Sequence, residues 1–271
     1  MKTIKKTMMF MLAAAMMLGL AISFAACGGD DEGTVIYIGT TGTTRPHTFR
    51  EAGVLTGYDI DAIRMVVSRF PDGENIELRF VEGPIAELQE KLRTGMIDMM
   101  VNNLARTAGR EAEFLFTDRG YLFQQYYVVV HTDETRTRLE EFEGGTAGGL
   151  GAGNYFHDQL LLFHYDNDEF FGEILIYETY TELFMDMDLG RVEVTLANRT
   201  FTVGHAQAAN LSIQYVGEPR NPNYVYFMFA NTDFGAELRD KTNVALDELY
   251  ADGSMRELSI RWFGQDYSSR G

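Results

Sequence analysis

Apolar residues fall at two spacings along this chain, and the two alternate. Thr34–Gly39, TVIYIG, interleaves β-branched and aromatic residues as a strand does. Gly57-Tyr58-Asp59-Ile60-Asp61 then opens a helix, with Ile60, Ile63, Val66 and Val67 on one face. Ile76–Val81 is a second strand, and Glu82-Gly83-Pro84 starts a helix with Ile85, Leu88 and Leu92 spaced for burial. Met96–Val101 is a short apolar run holding one acid. Methionine marks strands poorly, so run length and the flanking Gly95 and Asn102 decide for a buried parallel strand ending at Asn102-Asn103. Thr107 can cap the next helix, with Arg110 at its third position.

Tyr121–Val130 reads as a strand, and the polar stretch Thr132–Glu143 as a crossover into a second unit. Tyr155–Phe163 and Thr181–Leu189 read as helices, with strands at Glu173–Tyr177 and Val192–Leu196 between and after them. Two further strands, Leu211–Val216 and Tyr224–Ala230, flank Gly217-Glu218-Pro219. Helices Phe234–Tyr250 and Ser254–Phe263 close the chain. Strands alternating with helices predict an α/β fold. Gly-x-Ile/Val-acid precedes a strand in each half (Gly95–Asp98, Gly190–Glu193), so two similar α/β units are expected.

A net charge of −17 sharpens this picture. The first 26 residues hold Lys2, Lys5 and Lys6 and no acid, leaving 20 basic and 40 acidic residues in the remainder. Such a surface repels nucleic acid and anionic headgroups, so no nucleic-acid partner is expected. Cys27 is the one cysteine, which excludes an intramolecular disulfide. It follows a basic start and the apolar run Met8–Ala26. Phe24-Ala25-Ala26-Cys27 resembles a bacterial lipoprotein cleavage site, with Phe24 where Leu is usual. Residues 1–26 are therefore expected to be a signal peptide, Cys27 the lipidated residue, and 27–33 a tether outside the cytoplasmic membrane. An uncleaved spanning anchor is the alternative.

The stretch around Arg110 carries a family likeness. Leu92, Gly95, Ile97, Asp98, Asn102, Asn103, Thr107, Arg110, then Phe116-Thr117-Asp118 and Tyr121, resemble the family 3 solute-binding proteins of ABC transporters, which bind polar amino acids. Ala251-Asp252-Gly253-Ser254 and Arg261-Trp262-Phe263-Gly264 continue the resemblance to the C-terminus. It implies a two-lobe, type II periplasmic-binding-protein-like fold hinged by two crossover strands. Lobe 1 would be residues 34–130 plus 220–271, and lobe 2 residues 131–219. It also implies a monomer that needs no cofactor and presents an amino-acid-like ligand to an ABC permease.

The resemblance assigns site residues as well. Arg110 would fork a carboxylate. Asn102, Asn103, Ala105, Thr41 and Thr44 would contact the ligand from the first lobe, and Ile85 would give a flat apolar contact. Gly151, Ala152 and Gly153 would offer backbone N–H groups. The family's aromatic platform before Pro46 is missing or displaced, since Thr44 and Arg45 stand there. Asn198 stands where the family's aspartate holds an α-ammonium, which weakens that bond and puts an ordinary α-amino acid ligand in doubt.

Other chemistry finds less support. The six glycines of Gly144–Gly153 miss GxGxxG spacing, because Asn154 falls where the third glycine belongs. The five histidines are scattered, and no metal-ligand spacing, G-x-S-x-G or P-loop occurs. Arg110 has a purely structural alternative in Glu111, Glu113 or Asp118. Asp59 and Asp61 read most simply as helix-start acids, and Trp262 as core. A cyclohexadienyl dehydratase-like enzyme, with Glu82 or Glu193 as its acid, and a sensory lipoprotein without transport remain as alternatives to import.

Overall fold

A computed structural model describes residues 33–269. The expected signal peptide, Cys27 and all but the last residue of the tether lie outside them. Residues 35–269 belong to one compact unit, and no helix of the described residues is long and apolar enough to cross a membrane.

In chain order the strands and α-helices are β1 Val35–Thr40, β2 Thr43–Thr44, β3 Thr48–Glu51, β4 Val54–Thr56, α1 Tyr58–Val67, β5 Glu77–Glu82, α2 Ile85–Arg93, β6 Met99–Ala105, α3 Ala108–Glu111, β7 Leu115–Phe116 and β8 Leu122–His131. They continue as β9 Thr146–Gly149, α4 Tyr155–Asp166, β10 Glu173–Ile176, α5 Tyr180–Asp188, β11 Thr195–Asn198, α6 Arg199–Ala209, β12 Ile213–Phe229, α7 Asp233–Ala251 and α8 Ser254–Phe263. A seven-stranded sheet runs β11-β8-β12-β6-β1-β5, with β7 paired to β12. β1 pairs parallel to β5 and β6, while β12 runs antiparallel to β6 and β8.

The apolar pattern of β6 shows why the first lobe needs two helical layers. Met99 and Val101 point into a core with Ile36, Ile63, Phe227 and Leu246. Met100 and Leu104 point the other way, into a core with Leu88, Leu92 and Phe116. A strand buried on both faces reads as a continuous apolar run, which is what the sequence holds. Leu88, Leu92 and Met100 are fully buried, each contributing roughly 1.5–3 kcal/mol. The second lobe has its own core, built on Leu160, Leu183, Phe184, Val194 and Phe201.

Two strands serve both lobes. Leu122 of β8 and Val225 of β12 belong to the first core, whereas Val128 and Ile213, on the same two strands, belong to the second. The architecture is the expected two-lobe α/β fold with paired crossover strands.

Several local expectations change. β6 does not end at Asn102-Asn103 but continues to Ala105. It is held there by pairing of Ala105 with Val225 and Leu104 with Tyr226, after a bulge. The bulge falls at Asn103, whose φ is +54°, a conformation asparagine tolerates better than most residues. The expected strands 211–216 and 224–230 are one strand, β12. Gly217-Glu218-Pro219 lies in an irregularity between the Val216 and Arg220 pairings rather than in a loop. The Thr40–Arg50 loop contains β2 and part of β3, in a small antiparallel sheet with β4. Helix α6 was not expected at all, because its start, NRTFTVGH, has no clean apolar stripe.

Candidate ligand-binding site

A cavity of about 530 Å³ opens between the lobes. Its first-lobe wall is made of the β1–β2 turn, the start of α2, the end of β6 and Arg110. Asn102, 7% exposed, organises that wall. Its Oδ1 accepts from the Thr41 backbone N–H at 2.8 Å and lies 2.8, 3.1 and 3.2 Å from the hydroxyls of Thr41, Thr48 and Thr40. An oxygen with two lone pairs is saturated by this company. Asn102 thus shapes the Thr41–Thr44 turn and spends its acceptor on the protein.

Asn103 is held in its strained conformation from behind. Its backbone N–H donates to Asp59 Oδ2 at 2.6 Å, and its amide nitrogen lies 2.8 Å from His47 Nδ1. Asp59 and His47 are both fully buried. Asp59 therefore does more than favour the α1 dipole, because it locks the wall. Asp61, by contrast, accepts from Trp262 Nε1 at 3.0 Å, away from the cavity.

Thr107 caps the single turn of α3, accepting from the Arg110 N–H at 3.4 Å. That turn carries the Arg110 side chain to the cavity. Its Nη1 donates to the Ala105 carbonyl and its Nη2 to the Gly153 carbonyl, each at 2.8 Å. The second bond crosses from one lobe to the other. Burial lowers the Arg110 pKa from its ordinary value, partly offset by Asp158, yet an arginine remains charged. Among the described residues it makes no ion pair. The alternative partners Glu111 and Glu113 pair with Arg106 and Arg93, and Asp118 bonds Asn243.

The second-lobe wall is mostly apolar: Leu150, Tyr155, Phe156, Tyr177, Tyr180 and Phe201 face the cavity. Helices α4, α5 and α6 all begin there, each capped by its own side chain. Asn154 accepts from the Phe156 and His157 N–H groups, Thr179 from Glu182 and Asn198 from Phe201. The start of α2, across the cavity, has Pro84 at its cap and no side-chain acceptor. Its first N–H groups have no side-chain acceptor and are available to an anion. Glu178, which is exposed, is the single carboxylate among the lining residues.

Residues 36–265 match the model of the bacterial extracellular solute-binding proteins, family 3. The chain belongs to this family. It is 28% identical over 263 residues to a probable amino-acid-binding protein, YxeM, of Bacillus subtilis, covering 97% of this chain and 96% of that one. It is also 28% identical to a putative amino-acid ABC transporter-binding protein, PatH, of Vibrio harveyi, covering 86% and 90%. Among solved structures, an ancestral arginine-binding protein bound to arginine superposes with a TM-score of 0.76 at 21% identity, over 86% of this chain and all of that one. These relatives are named as solute-binding proteins rather than enzymes. Glu82 and Glu193, the acids an enzyme of this fold would have used, are paired with Arg50 and Arg136 and do not line the cavity.

The fold of this family member gathers the cavity residues from distant segments. Thr41, Thr44, Ile85, Asn102, Asn103, Ala105, Arg110, Ala152 and Gly153 all line the cavity. Two of the expected residues do not. Gly151, at φ +79°, turns toward Ile176, which a Cβ there would approach to 3.2 Å. Asn198 is 1% exposed and fully engaged as the α6 cap, its amide nitrogen donating to Gln124. Gly153 lends a carbonyl to Arg110, where an N–H for the ligand was expected.

Sequence reasoning missed Gln124, Asn223 and the aromatic residues of the second wall. Tyr155, Phe156 and Tyr180 sit in the first turns of helices, where helical periodicity assigns them to core. The signal that could have found them is position: each follows a cap residue at the C-terminal end of a strand or turn.

Proposed function

We propose that the cavity binds a small carboxylate-bearing solute of amino-acid type, and that the protein delivers it to an ABC permease. The observation that carries this is Arg110, a cavity-wall cation whose partners are two backbone carbonyls and no carboxylate. A guanidinium in that state lacks the partner it would most favour. The uncapped start of α2 adds N–H groups that suit the same anion. The second wall's aromatic rings suit an apolar or extended ligand body, and 530 Å³ is ample room for it. Relatives named for amino acids and for L-cystine support the ligand class. On this reading residues 34–130 with 220–271, and 131–219, are the lobes that close on the ligand. The Arg110–Gly153 bond is a contact of the closed form, and Cys27 carries the lipid that keeps the protein at the outer face of the membrane.

The test is thermal stability of the protein lacking residues 1–26, stripped of ligand by unfolding and refolding. It is screened with amino acids, amines, dicarboxylates, cystine and short peptides. A carboxylate at about 100 times its Kd adds about 2.7 kcal/mol, and that gain disappears in Arg110→Ala. Stabilisation by amines alone, or stabilisation that survives in Arg110→Ala, rejects the proposal.

A further inference from the structure

Helix α6 of the second lobe meets the first lobe at a place the ligand cavity does not reach. Pro46, His47, Thr200 and Gly204 make the contact, and none of them lines that cavity. His47, between β2 and β3, is fully buried. Its ring packs edge-on against Phe201 of α6, with centroids 4.9 Å apart, and its Nε2 lies 2.8 Å from the Thr200 hydroxyl. The direction of that bond is fixed from the helix side. The backbone N–H of Phe201 donates to Asn198 Oδ1 at 2.8 Å, and the Thr200 hydroxyl donates to the same oxygen at 2.7 Å. With its proton engaged there, Thr200 accepts from His47 Nε2–H. On the first lobe the same ring is anchored through Nδ1, 2.8 Å from Asn103 Nδ2.

One turn further along α6 stands Gly204, in the middle of the helix and on the same face as Thr200. Glycine weakens a helix interior, because it has the most backbone freedom to lose. What this position requires is closeness. A Cβ on Gly204 would lie 3.0 Å from Pro46 Cδ. An alanine there asks for a shift of a few tenths of an ångström, and a leucine has no room at that separation. The face of α6 is thus shaped to lie against a turn of the other lobe.

We propose that this contact is a latch that closes the lobes without help from a ligand. Through it the ligand-free protein populates the closed form to at least about a tenth. The inference rests on the two-lobe closure of the reading above and not on its carboxylate ligand. Parting the lobes breaks the His47–Thr200 bond and separates Pro46 from Gly204, so each open molecule forgoes both contacts.

The protein starting after Cys27 holds no cysteine, so a pair can be introduced cleanly. Met96 of the first lobe and Leu189 of the second are both exposed. Met96→Cys with Leu189→Cys carries two nitroxide labels. Their separation is measured by double electron–electron resonance after unfolding and refolding, with no ligand added. The labelled parent protein shows a population at the interlobe separation of this structure. Gly204→Leu lowers that population at least about tenfold, and Thr200→Val lowers it roughly three- to tenfold. The melting temperature of Gly204→Leu should not fall, since leucine favours the helix. A closed population that drops while the melting temperature holds separates a latch from a general loss of structure. Thr200→Val carries the test if Gly204→Leu fails to fold. A parent protein with no closed population overturns the proposal, as does a closed population unchanged in both α6 variants. Loss in Arg110→Ala with no change in the α6 variants also overturns it, because closure then depends on the Arg110–Gly153 bond. The carboxylate reading is tested separately by the ligand screen, so either can fail alone.

Discussion

The two walls of the cavity are built by opposite means. The first is a strand end and a turn whose polar side chains are locked to one another: Asn102 to three threonines, Asn103 to Asp59 and His47. The second is a row of helix starts, each closed by its own cap, with aromatic rings between them. One wall therefore carries the charge and the hydrogen-bonding order, and the other carries shape and apolar area. The difference suggests a division of labour. Polar locking holds the Thr41–Thr44 turn and the end of β6 in place, which reduces the ordering needed on binding. Each cap takes up one or two of a helix's first N–H groups, and the aromatic residues of those first turns present apolar surface.

The comparison breaks most directly at Arg110. Replacing it with alanine is expected to weaken carboxylate binding at least about 100-fold by calorimetry, since an opposed buried charge loses its partner. The melting temperature of the ligand-free protein should move little, because the buried guanidinium also sheds its desolvation. Retained affinity would put the anchor on the second wall.

Acid should act on the second lobe. His205, on α6, is 4% exposed; one ring nitrogen, Nδ1, contacts the Phe201 carbonyl at 2.9 Å and the other has no partner. Burial pulls its pKa down to about 4 from 6.5, against the bond to Phe201. The unfolded chain then binds the proton more readily than the folded one, so stability is full above pH 6.5 and falls as pH drops toward 4. The loss approaches about 3 kcal/mol. Urea unfolding of wild type and His205→Phe at about pH 7 and about pH 4.5 isolates it: the variant should lose less stability between the two. Equal losses would show that the histidine does not govern acid stability.

On the first wall, Asn102→Leu leaves the Thr41 N–H and three hydroxyls without their acceptor. It is expected to lower stability by about 2 kcal/mol. Asn102→Asp, which keeps an acceptor, should lower it less. An Asn102→Leu protein of unchanged stability would mean that the threonine cluster satisfies itself. The smallest effect expected is at the contact between the walls. Thr200 Oγ1 donates to Asn198 and so accepts from His47 Nε2, at 2.8 Å. Thr200→Val should weaken ligand binding roughly three- to tenfold, about 1 kcal/mol, without changing either core. An unaltered affinity would show that closure does not depend on this bond.

How much of the site was legible in the sequence follows the same division. The first wall lies mostly in three short segments at strand ends, Thr41–Thr44, Gly83–Ala86 and Asn102–Arg110, and in the first and last of them polar residues stand out from apolar surroundings. The second wall gathers Leu150, Tyr155, Tyr177, Tyr180 and Phe201 from separate places, each locally ordinary. Asn198 was found by position but misjudged in role. Strand β11 ends on it and α6 starts after it, and a residue there is claimed first by the helix's own orphan N–H groups.

The sequence alone determined the alternation of strands and helices, the buried character of β6, and the turn that carries Arg110, because these depend on spacing and on local caps. It also limited the chemistry by its single cysteine and dispersed histidines. Tertiary structure decided that β12 runs unbroken past Gly217, since pairing with β8 supplies the bonds a loop would lack. It decided which residues come together at the site, because contacts such as that of His47, between β2 and β3, with Thr200 on α6 join positions 153 residues apart. It decided, too, which way Gln124 points. That orientation is set by a backbone N–H on α6, reached through Asn198, and no local pattern around residue 124 encodes it.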